Sequence, residues 1–318
     1  MITIGKEPVN KIELHYYLQD TSHSMNALVR NKCEVYLLGI LKEISSTLNA
    51  RIQVETEAYT EGGLRERFLL RGKSEYNISL AAAIFRYVLP LEVDIEKIVS
   101  EEDKQETKTS IDRLRKDIRD FERDSETEID LENIQALFRN NLKILKLKSN
   151  FYRQLSGYEK VSKFSVQLVH ADGTFSGKPS TVNRKQFDTY MLVADTLKPE
   201  QDDSAVIEIV SPVLKTGSYK WKGIYIQANK TISFAMCDEE FKKEVINSGM
   251  MFKNGTRIVC SMEINRKMSE FGEVVVTGYS VLSVSGKHDE AEAADVPKPR
   301  TTKKKKEPKI QQLDLFGF

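Results

Sequence analysis

The period of the apolar residues changes partway along this chain, and that change constrains the fold more than any single motif does. Met25, Val29, Cys33, Tyr36, Ile40, Ile44 and Leu48 recur every three or four positions. That spacing lays one apolar stripe along an α-helix of about seven turns. From Gly157 onward the pattern alternates instead, over Lys163 to Val169, Gln186 to Val193, Ala205 to Val210, Lys220 to Gln227, Thr231 to Met236, Arg257 to Ile264 and Glu273 to Val284. Alternation is the period of half-buried strands. Turns carry Gly173, Gly177, Gly217, Asn229 and Asn254-Gly255, and a single amphipathic helix, Asp238 to Asn247, interrupts the run. Short strands with one helix predict a small barrel or a sandwich-like sheet pair.

The segments upstream of the switch are mixed. Lys11 to Leu18 reads as a strand, and Asp20-Thr21-Ser22-His23-Ser24 supplies candidate caps for the long helix. Ile52, Val54 and Thr56 alternate against Arg51, Gln53, Glu55 and Glu57, which predicts a strand with one wet face. The Gly62-Gly63 pair marks a turn, Glu66 to Leu70 returns as a strand, and Ile78 to Leu89 forms a helix that stops at Pro90. Between Asp94 and Leu155 charged helix formers dominate. Ile111, Leu114, Ile118 and Phe121 make one stripe there, and Leu131, Ile134, Leu137, Phe138, Leu142, Leu145 and Leu147 make another. Separated near Asp124 to Asp130, they predict an antiparallel helical hairpin. Its stripes serve packing within the chain or, on a second reading, pairing of two copies into a homo-oligomer.

The expected class is therefore α+β. A small N-terminal α/β domain covers residues 1–100, the helical hairpin 101–156, and a mostly antiparallel β domain 157–284. A disordered charged linker over 285–311 and a terminal peptide over 312–318 complete the chain. Lys and Arg number 48 against 47 Asp and Glu, so any affinity for nucleic acid must come from local patches. Cys33, Cys237 and Cys260 lie far apart in apolar settings with no C-x-x-C spacing. They read as free thiols in a reducing cytoplasm, with no metal site. Met1 to Asn10 lacks an apolar signal core, and the run Ile78 to Leu91 is broken by Arg86. A cytoplasmic protein without a membrane span is expected.

Chemistry is sparse. His15, Asp20, His23, Glu55, Glu57 and Glu61 are the titratable residues of the first domain. His15 with Glu55 or Glu57 on one sheet face would be the site of an alternative reading, a nuclease or phosphodiester hydrolase. The bland account is solvated strand ends and caps. His170 with Asp172 sits in a turn, and Ala171 to Asn183 reads as a surface loop. No P-loop, G-x-S-x-G or H-E-x-x-H occurs, which argues against a common NTPase, serine hydrolase or zinc peptidase. A binding protein without cofactor is favoured over an enzyme. For binding, Tyr219, Trp221 and Tyr225 interleave with Lys215, Lys220 and Lys222. Aromatic rings among lysines on a β surface stack bases and track a backbone, although a lone Trp221 also suits a core anchor.

The C-terminal stretch is the most specific. Lys298 to Lys309 contains the run Lys303-Lys304-Lys305-Lys306, suited to phosphates, and is followed by Gln312-Leu313-Asp314-Leu315-Phe316. Those five residues resemble the pentapeptide by which bacterial polymerases and repair proteins dock on the DNA sliding clamp: Gln-Leu, then Ser or Asp, then Leu-Phe. The resemblance implies a clamp partner, with Leu315 and Phe316 filling an apolar pocket and Gln312 orienting the peptide. A flexible chain of about 28 residues between Val284 and Gln312 spans roughly 30 Å on average. The stretch from Asp238-Glu239-Glu240-Phe241 to Phe252-Lys253-Asn254-Gly255-Thr256 resembles a β domain recurring in bacterial mobile-element and antiviral defence neighbourhoods. Together these resemblances imply an accessory role in bacterial or phage DNA replication, repair or genome defence.

Overall fold

The computed structural model describes residues 8–20, 24–57, 64–91, 101–123, 131–192, 194–215 and 217–289. The chain divides into two compact units, Met1–Lys198 with Arg266–Val276, and Pro199–Asn265 with Thr277–Phe318.

The first unit runs β1 (Val9–Leu18), α1 (Ala27–Thr47), β2 (Gln53–Glu57), β3 (Leu64–Arg71), α2 (Glu75–Val88), α3 (Glu101–Arg123), α4 (Leu131–Arg139), α5 (Leu142–Ser156), β4 (Val161–His170) and β5 (Phe175–Asn183). A 3-10 helix (Arg184–Tyr190) follows. The sheet order is β2-β3-β1-β4-β5, with every neighbour antiparallel. The path β1-α1-β2-β3-α2-β4 is the split β-α-β arrangement of ferredoxin-like sheets, with α3 to α5 inserted before β4 and β5 added at one edge. Alternation in the strands sends Ile12, Leu14, Tyr16, Phe68, Leu70, Phe164 and Val166 into one core with Leu37, Ile40, Ile44, Ile84, Phe85, Phe151 and Leu155 of the helices.

Several elements depart from the sequence reading. β4 pairs with β1, Ile12 facing Leu168 and Leu14 facing Val166. The strands from 161 to 183 thus complete the N-terminal sheet and do not begin the downstream β domain. Part of the expected loop at 171–183 is the edge strand β5, and the strand expected from Gln186 is the 3-10 helix. Asn26 caps α1, its Oδ1 accepting from the amides of Leu28 and Val29, in place of the caps expected at 20–24. The second hairpin helix breaks at Asn140-Asn141, where Asn141 caps α5. Of the hairpin stripes, Leu114, Ile118, Ile134 and Phe138 are buried in the unit's core.

Helix ends buried in this core need donors for their last carbonyls. Lys148 on α5 donates to the carbonyls of Val88 (3.3 Å) and Leu91 (2.5 Å), and Tyr152 Oη donates to Leu89 (3.1 Å). Arg115 on α3 does the same for Ser46 and Thr47 at the end of α1. Arg184 reaches the carbonyls of Leu155, Ser156, Tyr158 and Val161, closing α5 and the turn into β4.

The second unit takes in β6 (Thr196–Ser211), β7 (Trp221–Tyr225), β8 (Lys230–Met236), α6 (Glu239–Asn247), β9 (Arg257–Met268) and β10 (Val274–His288), of which β6, β9 and β10 each have residues in both units. They form a closed barrel in the order β10-β8-β7-β6-β9. β7 is antiparallel to β6 and β8, and β10 is parallel to β8. This order, with the helix between the third and fourth strands, coincides with that of OB-fold barrels. Ala205, Ile207, Trp221, Ile232, Phe234, Cys260, Met262 and Val281 fill the interior. Gly223 permits a close approach of β7 to β6, for a Cβ there would stand 2.5 Å from Ile207 Cγ2 and 2.7 Å from the Glu208 carbonyl oxygen.

Two outcomes test the buried caps. Arg184→Ala lowers unfolding stability by about 2–4 kcal/mol, because it removes the side-chain donor shared by four carbonyls, of which those of Leu155 and Tyr158 keep a backbone partner; the denaturation midpoint reads this. Burial pulls the Lys148 ammonium from its ordinary 10.5 to about 7. Between those values the unfolded chain binds more protons than the native one, so this residue makes stability rise with pH. Denaturant titrations from pH 7 to pH 9 show that rise in the parent protein, and the Lys148→Met variant lacks it.

Candidate nucleic-acid interface

In β7 the sequence Trp-Lys-Gly-Ile-Tyr alternates between the barrel interior and solvent. Trp221 is 2% exposed, and its ring packs near Phe234 (6.2 Å between centroids), Phe241 (6.1 Å) and Phe252 (5.8 Å, edge-on). It is a core anchor and presents no face to a base, which corrects the stacking role expected for it. Tyr225 likewise turns inward and donates its hydroxyl to Asp202 at 2.5 Å. The lysines take the other parity: Lys220 and Lys222 are exposed, and Lys222 stands opposite Ser233 of β8.

The connection from β6 to β7 is the more telling part. Leu214 and Tyr219 are exposed there by 65% and 56%, and Val210 at the end of β6 by 58%, beside the exposed Lys215 and Lys220. From Ser211 to Thr231 the chain carries Lys215, Lys220, Lys222 and Lys230 and no carboxylate. On β6, Glu208 faces Ile224 and is paired with Arg257 at 3.2 Å. This stretch is thus locally basic although the whole chain carries a net charge of only +1.

The open face of the N-terminal sheet holds the residues of the hydrolase reading. His15 lies between Arg65 of β3 and Ser165 of β4 in the register, its ring stacked on Tyr17 at 3.8 Å. Burial, reinforced by the charge of Arg65, lowers it to about 4, so it is a neutral imidazole at pH 7. Glu57 is paired with Lys11 at 3.2 Å and Glu55 with Arg71 at 2.8 Å. β3 lies between β2 and β1, which separates the glutamates' strand from that of His15 by about 10 Å. The face is a ladder of ion pairs, with Glu13 buried between Arg65 (3.4 Å) and Arg67 (2.8 Å). No group of three or more His, Cys, Asp or Glu that could hold a metal occurs among the described residues. Asp20 pairs with Lys160, and His170 and Asp172 hold a turn through the Pro8 carbonyl and Thr174. His23 and Glu61 lie outside the described residues, as do Lys303 to Lys306 and the peptide Gln312 to Phe316.

Sequence reasoning missed one polar cluster. Glu66 occupies an inward position of β3 in line with Phe68 and Leu70, where Arg30 of α1 pairs with it and with Glu34. Its Oε2 and the hydroxyl of Tyr16 are buried without a partner, and burial raises the Glu66 carboxyl above its ordinary range. A charged residue at the third inward place of an apolar alternation was the available signal. A separate hollow of about 860 Å³ is lined by Gln19, Ser162, Asn183, Arg184, Lys185 and Gln186, but the Arg184 guanidinium there is engaged by backbone carbonyls.

The two roles in β7 separate on mutation. Trp221→Ala costs about 3–5 kcal/mol of stability through the cavity it leaves, whereas Lys222→Ala stays within about 0.5 kcal/mol; thermal or denaturant unfolding distinguishes them. No family model, curated protein or solved structure matches this chain, so its function must be argued from these residues.

Proposed function

We propose that this chain is an accessory protein of bacterial or phage DNA transactions, recruited to the DNA sliding clamp by its C-terminal peptide. The observation that carries the reading is the run Gln312-Leu313-Asp314-Leu315-Phe316, which agrees with the clamp-binding pattern at all five positions. Leu315 and Phe316 contribute roughly 1.5–3 kcal/mol each on entering an apolar pocket, before ordering costs. The peptide alone is therefore a weak ligand. Contacts of the Lys303–Lys306 run and of the barrel's basic side with DNA add to it through effective concentration.

The barrel's architecture supports the DNA part of the reading, because barrels of this strand order take oligonucleotides or oligosaccharides on the face of their second and third strands. Here those strands are β7 and β8, and the lysine-rich, carboxylate-free stretch covers β7 with the connection before it and reaches the first two residues of β8. Replication, repair and genome defence all place a protein beside the clamp. The resemblance at Asp238 to Thr256 favours the last of them.

Calorimetric titration of purified bacterial clamp tests the recruitment. The full chain binds, and the Leu315→Ala, Phe316→Ala variant binds at least about tenfold more weakly, as expected for two buried anchors. Equal heats from the two chains would remove the proposal.

A further inference from the structure

We propose that the connection between β6 and β7 is a stacking platform for single-stranded DNA, with Tyr219 and Leu214 against base faces and Lys215, Lys220 and Lys222 along the phosphates. The inference rests on the reading that the barrel meets nucleic acid, and is independent of the clamp peptide.

Three observations point the same way. A phenol ring and the aliphatic side chain of Leu214 stand more than half exposed on one short connection, and Val210 is exposed at the end of β6 just before it. Exposed apolar side chains grouped in this way mark a contact surface. The ring of Tyr219 is also seated. Gly217 has φ +131°, and a Cβ there would stand 3.1 Å from Tyr219 Cε2. Only glycine tolerates both that conformation and that approach, and a ring laid against backbone loses less freedom when a base arrives. Finally, the stretch from Ser211 to Thr231 itself carries charge of one sign, four lysines and no carboxylate, and Glu208 of the neighbouring strand is paired with Arg257. A polyanion is the partner complementary to such a surface.

The same features separate a single strand from a duplex. In a duplex the base faces are stacked away, so Tyr219 and Leu214 have nothing to meet and only the lysines act, blind to strandedness. A single strand offers a π-face at every nucleotide, whatever the sequence. Trp221, the more obvious aromatic, takes no part, because it is buried in the barrel.

Fluorescence anisotropy of a labelled oligo(dT) with the full chain tests this. Tyr219→Ala lowers affinity about five- to hundredfold, Tyr219→Phe keeps it within about twofold, and neither changes binding of a duplex. Lys220→Glu with Lys222→Glu flattens the salt dependence of single-strand binding, by about 0.7 in log–log slope for each phosphate that is no longer neutralised. The Leu315→Ala, Phe316→Ala chain binds oligo(dT) like the parent, so failure at the clamp and failure here are separate results. Parental affinity in Tyr219→Ala overturns the proposal, as does an equal loss on single strand and duplex. An absence of oligo(dT) binding by the parent chain overturns it together with the barrel's DNA role.

Discussion

Unit one depends on side-chain donors supplied to the last carbonyls of its helices. α1, α2 and α5 all finish against the core, and their final carbonyls would each cost on the order of 1–3 kcal/mol if left bare. The chain answers with long cationic side chains from elements far away in sequence: Arg115 for α1, Lys148 with Tyr152 for α2, and Arg184 for α5. Cations also suit the negative end of a helix dipole. Because α5 both lends Lys148 to α2 and takes Arg184 from beyond β5, these contacts tie the inserted helices to the sheet. The return of β4 to β1 across nearly the whole unit is thereby fixed at its entry, since Arg184 also holds the turn that starts β4.

This arrangement shows what local pattern does and does not reveal. α1, α6 and β7 to β9 follow from periodicity alone, because their burial follows the geometry of the element itself. β5 could not be read in that way. It is an edge strand with Gly177, Lys178 and Pro179 in its middle, and apart from Val182 its residues are exposed or half-buried. Its pairing comes from β4, and no side-chain alternation announces it. The 3-10 helix misled because Tyr190 and Leu192, two apart and both buried, suit a strand, whereas Phe187 and Tyr190, three apart, carry the 3-10 period. The domain boundary was misplaced because a change of period marks a change of element type, and a sheet can recruit strands from either side of it.

At the candidate interface the sequence pattern was correct in kind and wrong in detail. Tyr219, Trp221 and Tyr225 alternate with lysines, and that pattern alone does not say which parity faces solvent. The barrel decides it: Trp221 and Tyr225 share the parity of Gly223, which must face in because β6 passes too close for any side chain. Lys220 and Lys222 take the other, and Tyr219, lying before the strand starts, escapes the alternation. The sequence likewise put His15, Glu55 and Glu57 on one face without showing that cations would neutralise both glutamates there.

The proposed peptide anchor and the proposed stacking loop complement each other. Neither needs depth if the charged stretch between Asp289 and Gln312 acts as a tether, for a short flexible linker raises the effective concentration of the second contact to the millimolar range. Two contacts that each dissociate readily then hold the body near DNA while allowing it to exchange between sites, because when one lets go the other remains to recapture it. Such a design asks the body for a surface that tolerates any sequence. Stacking on a tyrosine among lysines would provide that, whereas hydrogen-bond readout of base edges would restrict a protein to particular sites.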